Sequence, residues 1–99
     1  MNKNNYYIVR QAMAELKRIK FFLNNTGIIG EPHFIYSDGN LYCAVKMGDK
    51  INHDPAHIAI NSMENLSILD EHFSPDMAIR KEEKEFHERG LLILTLSSD

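Results

Sequence analysis

Two histidines, His53 and His57, are four residues apart, and of all the residue spacings in this chain theirs most resembles that of a metal site. On a helix, this spacing places two imidazoles on one face, where they can bind zinc. Pro55 lies between them, however, and the stretch INHDPAHI predicts a loop that leads into a strand. A third ligand would have to be Cys43 or His33, which the hairpin predicted below places on opposite faces. We therefore expect solvated histidines and no metal site.

Cys43 is the single cysteine and the only candidate for a thiol nucleophile. We expect it on the core side of a strand opposite Phe34, where a cysteine behaves as a small, inert hydrophobic residue. The sequence contains no nucleophile elbow, phosphate-binding glycine loop, dinucleotide fingerprint or zinc ribbon. These observations predict a protein that is not an enzyme and needs no cofactor. The acidic residues near the C-terminus are interpreted as the solvated face of a helix: Glu82, Glu83, Glu85 and Glu88.

Cationic and aromatic side chains recur near the N-terminus at intervals that place them on one face of a helix. If the fold leaves this face uncovered, its aromatic and arginine side chains have the composition of a protein-binding hot spot. The alternative is that Tyr7 and Phe21 pack beneath a neighbouring loop, while the cations only keep the face solvated. The predicted binding site consists of Lys3, Tyr7, Arg10, Lys17, Arg18 and Phe21.

The same face supports a second interpretation, because cations interleaved with aromatic rings also bind single-stranded nucleic acid. Against it, the formal net charge is −3, and nucleic-acid-binding domains generally have a basic balance. Residues 1–50 carry seven Lys/Arg and four Asp/Glu, whereas residues 51–99 carry four and ten. We therefore expect another protein or a protein complex as the partner, with nucleic acid as the alternative.

The length of 99 residues predicts one domain, 1–99, with a single core. No apolar run approaches the ~20 residues that a membrane-spanning helix needs, so we expect no membrane contact. The first residues contain no apolar signal segment, and a single cysteine excludes an internal disulfide framework. We therefore expect the protein in the cytoplasm.

The helix that would present the basic and aromatic face is predicted from Asn4 to about Asn24. Gly27 can adopt the left-handed conformation that ends a helix. Apolar residues recur along this stretch at three- and four-residue steps, which is the helical period: Val9, Ala12, Leu16, Ile19 and Leu23.

The stretch from Pro32 to Met47 predicts a β-hairpin, because Asp38-Gly39 supplies the positive φ angles of a two-residue turn. Counting outward from this turn fixes the expected register. The predicted pairs are Ser37 with Asn40, Tyr36 with Leu41, Ile35 with Tyr42, Phe34 with Cys43, His33 with Ala44 and Pro32 with Val45.

Four further elements are predicted in the second half of the chain. Residues 57–60 alternate as a short third strand, and 62–73 have helical spacing, although their polar residues also allow irregular structure. A helix is predicted over 74–89, with Gly90 at its end. Residues 91–96 are apolar throughout and predict a strand in the middle of the sheet.

Together these elements predict an α+β fold: a mostly antiparallel sheet of three to four strands, with a long N-terminal helix and a C-terminal helix packed on one face. The best-fitting function is a non-enzymatic protein-binding module that occupies a surface of a partner macromolecule. Small inhibitors, immunity proteins and accessory proteins of bacteria or phages work in this way. The alternative is a nucleic-acid-binding accessory or regulatory protein. The sequence is also compatible with a homodimer.

Overall fold

The computed structural model describes residues 3–47 and 54–96. Neither α-helix within these ranges is long and apolar enough to cross a membrane. In chain order the elements are α1 (Lys3–Glu15), β1 (Lys17–Leu23), β2 (Thr26–Asp38), β3 (Asn40–Met47), β4 (Ala56–Ala59), a 3₁₀ turn at Ile60–Ser62, β5 (Glu64–His72), a 3₁₀ turn at Met77–Ile79, α2 (Arg80–Glu88) and β6 (Leu92–Thr95).

The sheet is antiparallel and is built around β2, its longest strand. Its order is β4-β3-β2-β1-β5, and β6 also pairs with β2. The first residues of β2 pair with β1, its residues 34–36 pair with β6, and β3 runs along most of its length. The predicted α+β class with an antiparallel sheet and two helices is confirmed. The described residues form six strands, however, and not three to four.

The predicted helix over 4–24 is wrong in its second half. α1 ends at Glu15, Leu16 adopts a φ of +55°, and the chain continues as β1. Asn24 and Asn25 follow with φ angles of +48° and +66°. Two consecutive positive φ angles are what a two-residue type I′ hairpin turn requires, and this turn joins β1 to β2.

A competing pattern in the same residues explains why a strand forms here. Ile19, Phe21 and Leu23 fit the three- and four-residue spacing in part, but they also alternate. Isoleucine and phenylalanine favour strands, since their side chains pack well on a pleated surface. The alternation directs Ile19 and Phe21 into the core, where both are fully buried.

The strands β2 and β3 form the predicted hairpin, but most of its register is shifted by one residue. Gly39, with a φ of +83°, lies alone at the tip, so Asp38 pairs with Asn40. Pro32 pairs with Val45 as predicted, because a register shift between residues 32 and 34 compensates for the shorter tip. The other corrected pairs are Ser37 with Leu41, Tyr36 with Tyr42, Ile35 with Cys43 and Phe34 with Ala44.

The larger hydrophobic core lies between the sheet and α1. Ile35 and Cys43 of the hairpin pack there with Val9 and Met13 of α1. All four side chains are buried. This face therefore holds α1 through apolar contacts.

A second core lies on the opposite face of the sheet. Phe34 and Ala44, the neighbours of Ile35 and Cys43, point to this side, where Phe86 of α2 packs against them. The two helices thus cover opposite faces, which corrects the prediction that both pack on one face. Because the hairpin is apolar on both sides, its residue pattern alone could not identify the register.

The middle of the chain contains a strand where a helix was predicted. β4 confirms the short strand expected near 57–60, whereas β5 replaces the helix or irregular segment over 62–73. Leu66 and Ile68 of β5 alternate toward the α1 side of the sheet, where they pack against the larger core. Asn65 has a φ of +51°, next to one of two irregularities in the pairing of β5 with β1.

The C-terminal segment agrees more closely with the prediction. The helical segment follows residues 74–76, but Asp76 is its cap: its carboxylate accepts the N–H of Ala78 at 3.0 Å. Gly90, with a φ of +73°, follows the end of α2. Within the described residues, β6 pairs with β2 alone and does not lie between two strands, and Ile93 is 45% exposed.

Candidate functional site

The predicted binding residues lie on two elements, and not on one helix face. Lys3, Tyr7 and Arg10 are in α1, whereas Lys17, Arg18 and Phe21 are in β1. Tyr7 is 61% exposed and Arg10 is also exposed, while the side chain of Lys3 lies outside the described part of the structure. A role for these α1 residues in binding stays a prediction.

Phe21 is not exposed, contrary to the expectation that it belongs to a binding face. Its side chain is fully buried in the core beneath α1. The physical reason is the strand geometry of β1, in which alternate side chains point to opposite faces. Phe21 therefore stabilises the fold and is not available to a partner.

The two cations that β1 contributes to the predicted site are paired within the chain. Nζ of Lys17 lies 3.2 Å from Oε1 of Glu15. Nε of Arg18 lies 3.0 Å from Oε2 of Glu31, and a second nitrogen lies 3.8 Å from Glu71. Because Glu31 is buried, Arg18 compensates a carboxylate whose charge would otherwise be costly to bury.

The strand β1 also places side chains on a part of the sheet that neither helix covers. Lys20 and Phe22 point away from α1, because Phe21 between them points into the core. The pairing of β1 sets Ile29 of β2 and Ser67 of β5 on either side of Lys20. These side chains therefore share one surface.

Leu69 of β5 belongs to the same surface. Its neighbour Ile68 packs on the α1 side, so strand alternation directs Leu69 to the opposite side. We call the surface formed by five residues the open face: Lys20, Phe22, Ile29, Ser67 and Leu69.

The open face is apolar at three positions and carries one cation. Ile29 is 47% exposed, and Phe22 and Leu69 are half-buried. Nζ of Lys20 lies 5.7 Å from the centroid of the Phe22 ring, within the range of a cation–π contact. Among residues 3–47 and 54–96, no carboxylate forms a salt bridge with Lys20.

Phe22 is the functional candidate that the sequence analysis missed. The signal for it was present, because Ile19, Phe21 and Leu23 alternate with a second set of residues that includes Phe22. Assigning the stretch to a helix selected Phe21 for the surface. Assigning it to a strand selects Phe22.

The edges of the sheet are less suited to contact than the open face. β5 carries two irregularities in its pairing and the acidic residues Glu64, Asp70 and Glu71. β4 has four residues and follows Pro55, and the β2–β6 pairing is also irregular. Bulges, charges, proline and short length are the features by which natural sheets avoid pairing through their edges.

Three polar side chains form a hydrogen-bonded chain on the α2 side of the sheet. Oη of Tyr36 lies 2.7 Å from Nδ1 of His57, and Nε2 of His57 contacts the carboxylate of Glu82. Because a carboxylate can only accept, Nε2 of His57 donates to Glu82, while the Tyr36 hydroxyl is hydrogen-bonded to Nδ1. Burial raises the pKa of Tyr36, so its hydroxyl remains a donor. The chain thus joins β2, β4 and α2.

This arrangement resembles an acid–base array, but its hydroxyl is not open to a substrate. Tyr36 is buried, and its ring lies stacked 4.1 Å from that of Phe86 of α2 and 5.4 Å from that of Tyr42. Tyr36 and His57 hydrogen-bond within the chain. The geometry therefore favours a structural role, in which these side chains hold α2 against the sheet.

The other candidates for metal or thiol chemistry are separated by the fold. His53 lies outside the described residues, and His57 belongs to the chain with Tyr36. Cys43 is buried opposite Ile35, and burial raises the pKa of its thiol. Within residues 3–47 and 54–96, no three His, Cys, Asp or Glu side chains are placed to hold a metal ion.

No protein-family model matches this chain, and no curated protein matches it. The geometry of the chain itself is therefore the basis for assigning a function. Of the surfaces described above, the open face has the composition best suited to contact with another molecule.

Proposed function

We propose that this protein is a non-enzymatic, cytoplasmic protein-binding module that occupies a surface of a partner protein through the open face. The observation that supports this most strongly is the group of Phe22, Ile29 and Leu69 on a sheet surface that neither helix covers. Apolar side chains exposed together are typical of protein-interaction sites. A small inhibitor, immunity protein or accessory protein of a bacterium or phage would act in this way.

Phe22 and Ile29 are the anchors of the proposed contact. An aromatic ring and a β-branched side chain on neighbouring strands are held by the sheet, so little side-chain entropy is lost when a partner covers them. Covering the remaining exposed part of one such side chain contributes about 1 kcal/mol. The anchors therefore supply affinity, while the polar residues around them orient the partner.

Lys20 defines the chemistry expected of the partner. Its ammonium lies 5.7 Å from the centroid of the Phe22 ring. No carboxylate of the described residues forms a salt bridge with it. A partner that brings apolar side chains onto Phe22 and Ile29 must therefore also bring an acidic group to Lys20, or leave the cation in water. The proposed partner surface is apolar with a carboxylate at its rim.

The second candidate function is nucleic-acid binding, and the pairing of Lys20 with Phe22 favours it. A cation beside an exposed ring can bind a phosphate while the ring stacks on a base. The nearest other cation of β1 that strand alternation directs to the same side, Arg18, lies outside the open face and is already paired with Glu31 and Glu71. Affinity for a mixed-sequence oligonucleotide, measured against salt concentration, separates the two functions, because phosphate contacts weaken steeply as salt rises.

The experiment for protein binding compares two isoleucines of nearly equal exposure. Ile29 on the open face and Ile93 on β6 are 47% and 45% exposed. Each is changed to threonine, which keeps the β-branched shape that suits a strand. The wild-type protein is used to isolate partners from its native host, and the affinity of each purified partner is then measured for both variants.

We expect Ile29→Thr to weaken the affinity by more than about tenfold, because it removes an anchor, and Ile93→Thr to leave it unchanged. A third variant, Tyr7→Ala with Arg10→Ala, tests the α1 face. If this double variant abolishes binding and Ile29→Thr does not, the docking surface is on α1 and the open face is not the site.

A further inference from the structure

His33 is a buried side chain whose two ring nitrogens both form hydrogen bonds. Nε2 accepts the backbone N–H of Asp76 at 3.0 Å, so this nitrogen carries no proton. Nδ1 lies 2.8 Å from the backbone oxygen of Glu31 and therefore donates to it. The ring is 3% exposed and lies 5.4 Å from that of Phe73. His33 is thus held in its neutral form with one tautomer.

The bond to Asp76 fixes the point where the chain enters its C-terminal helical segment. The carboxylate of Asp76 accepts the N–H of Ala78 and lies 3.0 Å from Nζ of Lys46. Ile79, three residues further on, is buried in the second core with Phe86 of α2. His33 therefore connects the sheet to the first residues of the segment that covers this core.

The charged groups around His33 have opposing effects on its pKa. Glu31 of β2 and Asp76 favour a protonated imidazole, whereas Lys46 of β3 disfavours it. Arg80 and Glu83 of α2 line a small cavity with His33. Burial outweighs these charges and lowers the pKa of His33 below 6.5.

Protonation of His33 would place a second N–H against the N–H of Asp76. A protonated imidazole has two donors and no acceptor, so the bond from Asp76 is lost and two buried donors face each other. Within the described residues, the contacts that would still hold this segment against the sheet include the Asp76–Lys46 ion pair, the ring and aliphatic contacts of the second core and the Tyr36–His57–Glu82 chain.

We propose that His33 is an acid-sensitive latch: uptake of a proton on Nε2 breaks the hydrogen bond from the backbone N–H of Asp76 and lets the segment from residue 76 through α2 open away from the sheet. The released face carries Phe34 and Tyr36, so opening exposes an aromatic surface that is covered at neutral pH. The stabilisation that the neutral ring provides is fully present above about pH 6.5. It is lost as the pH falls from 6.5 toward the lower pKa of the folded state.

Hydrogen exchange of the α2 amides in the full chain tests this inference. After correction for the pH dependence of intrinsic exchange, protection of α2 should fall about tenfold for each pH unit below 6.5, until His33 is protonated. Protection of the β1–β2 amides should fall much less. The ring ¹⁵N shifts of His33, followed by NMR, report its protonation in the same sample.

Two variants separate His33 from the other titrating groups. His33→Gln keeps an acceptor for Asp76 and cannot take up a proton, so the acid response of α2 should disappear. His87→Gln changes an exposed histidine of α2 and should leave the response intact. Burial also raises the pKa of Glu83, so Glu83→Gln serves as a second control and should also keep the response.

Protection of α2 that is unchanged through the pH range in which the His33 ring itself titrates would overturn the proposal. An acid response of equal size in His33→Gln would also overturn it, because another group would then be responsible. Should His33→Gln fail to fold, the wild-type experiment decides, since the latch requires the fall in α2 protection to begin near pH 6.5 and to level off at the pH where the His33 ring titrates.

Discussion

Phe21 and Phe22 are adjacent in the sequence, and their side chains lie on opposite faces of the sheet. Phe21 is fully buried beneath α1, whereas Phe22 is half-buried on the open face. This difference predicts that Phe21→Ala reduces the free energy of unfolding by about 3–5 kcal/mol, as expected for a large core side chain. Phe22→Ala should reduce it by only about 1 kcal/mol.

Urea denaturation of both variants measures the difference between these two residues. Similar values for Phe21→Ala and Phe22→Ala would contradict the orientation of β1. A larger loss for Phe22→Ala would show that Phe22, and not Phe21, is the core residue.

The sequence predicted the α+β class because the alternating and helical patterns are both strong in parts of the chain. The hairpin at Gly39 and the helical segment that ends before Gly90 follow from local turn and capping chemistry. The residues 16–25 did not have such a signal. Asn24-Asn25 forms a hairpin turn, but asparagine is also common at helix ends, so tertiary pairing decides between the two.

The register of the hairpin could not be derived from its residues, for a different reason. A sheet with one solvated face reveals its register through alternation. Here α1 covers Ile35 and α2 covers Phe34, so consecutive residues are both buried. The open face was missed because residues 17–23 were assigned to a helix. In that helix Phe21 was expected at the surface, whereas in the strand Lys20 and Phe22 point outward and Phe21 points into the core.

The hydroxyl of Tyr36 is predicted to hold α2 against the sheet through His57. Tyr36→Phe leaves Nδ1 of His57 without its hydrogen-bond partner, and we expect a loss of about 1–2 kcal/mol in the free energy of unfolding. Tyr7→Phe is the matched control, since Tyr7 is 61% exposed, and should change the stability by less than about 0.5 kcal/mol. Thermal denaturation of both variants checks this. Equal melting temperatures would contradict a stabilising role for the hydroxyl.

The ion pair between Arg18 and Glu31 is predicted to matter more than the longer contact of Arg18 with Glu71. Glu31→Gln leaves Arg18 without its buried partner, and the expected loss is about 1–3 kcal/mol, since the side chain of Arg18 is still 32% exposed. Glu71→Gln removes a contact at 3.8 Å from an exposed side chain and should have an effect below about 0.5 kcal/mol. Chemical denaturation that gives the reverse order would show that Glu31 is not the main partner of Arg18.

Cys43 is predicted to be unreactive in the folded protein. Burial raises the pKa of its thiol, so very little thiolate is present, and the core excludes the reagent. Modification by a disulfide reagent at pH 8 should be slow in native buffer and should accelerate in urea as the protein unfolds. Rapid modification of the native protein at the rate of a free thiol would contradict the placement of Cys43 in the core.

The matched pair Ile29→Thr and Ile93→Thr tests the proposed docking surface most directly. Both isoleucines lie on strands with nearly half of their surface exposed, so their substitutions should affect stability to a similar, small degree. The measurement is the dissociation constant of each variant for one purified partner. If the partner docks on the open face, the dissociation constant is more than about tenfold higher for Ile29→Thr and unchanged for Ile93→Thr. Equal dissociation constants for the two variants and the wild type would show that the open face is not where the partner binds.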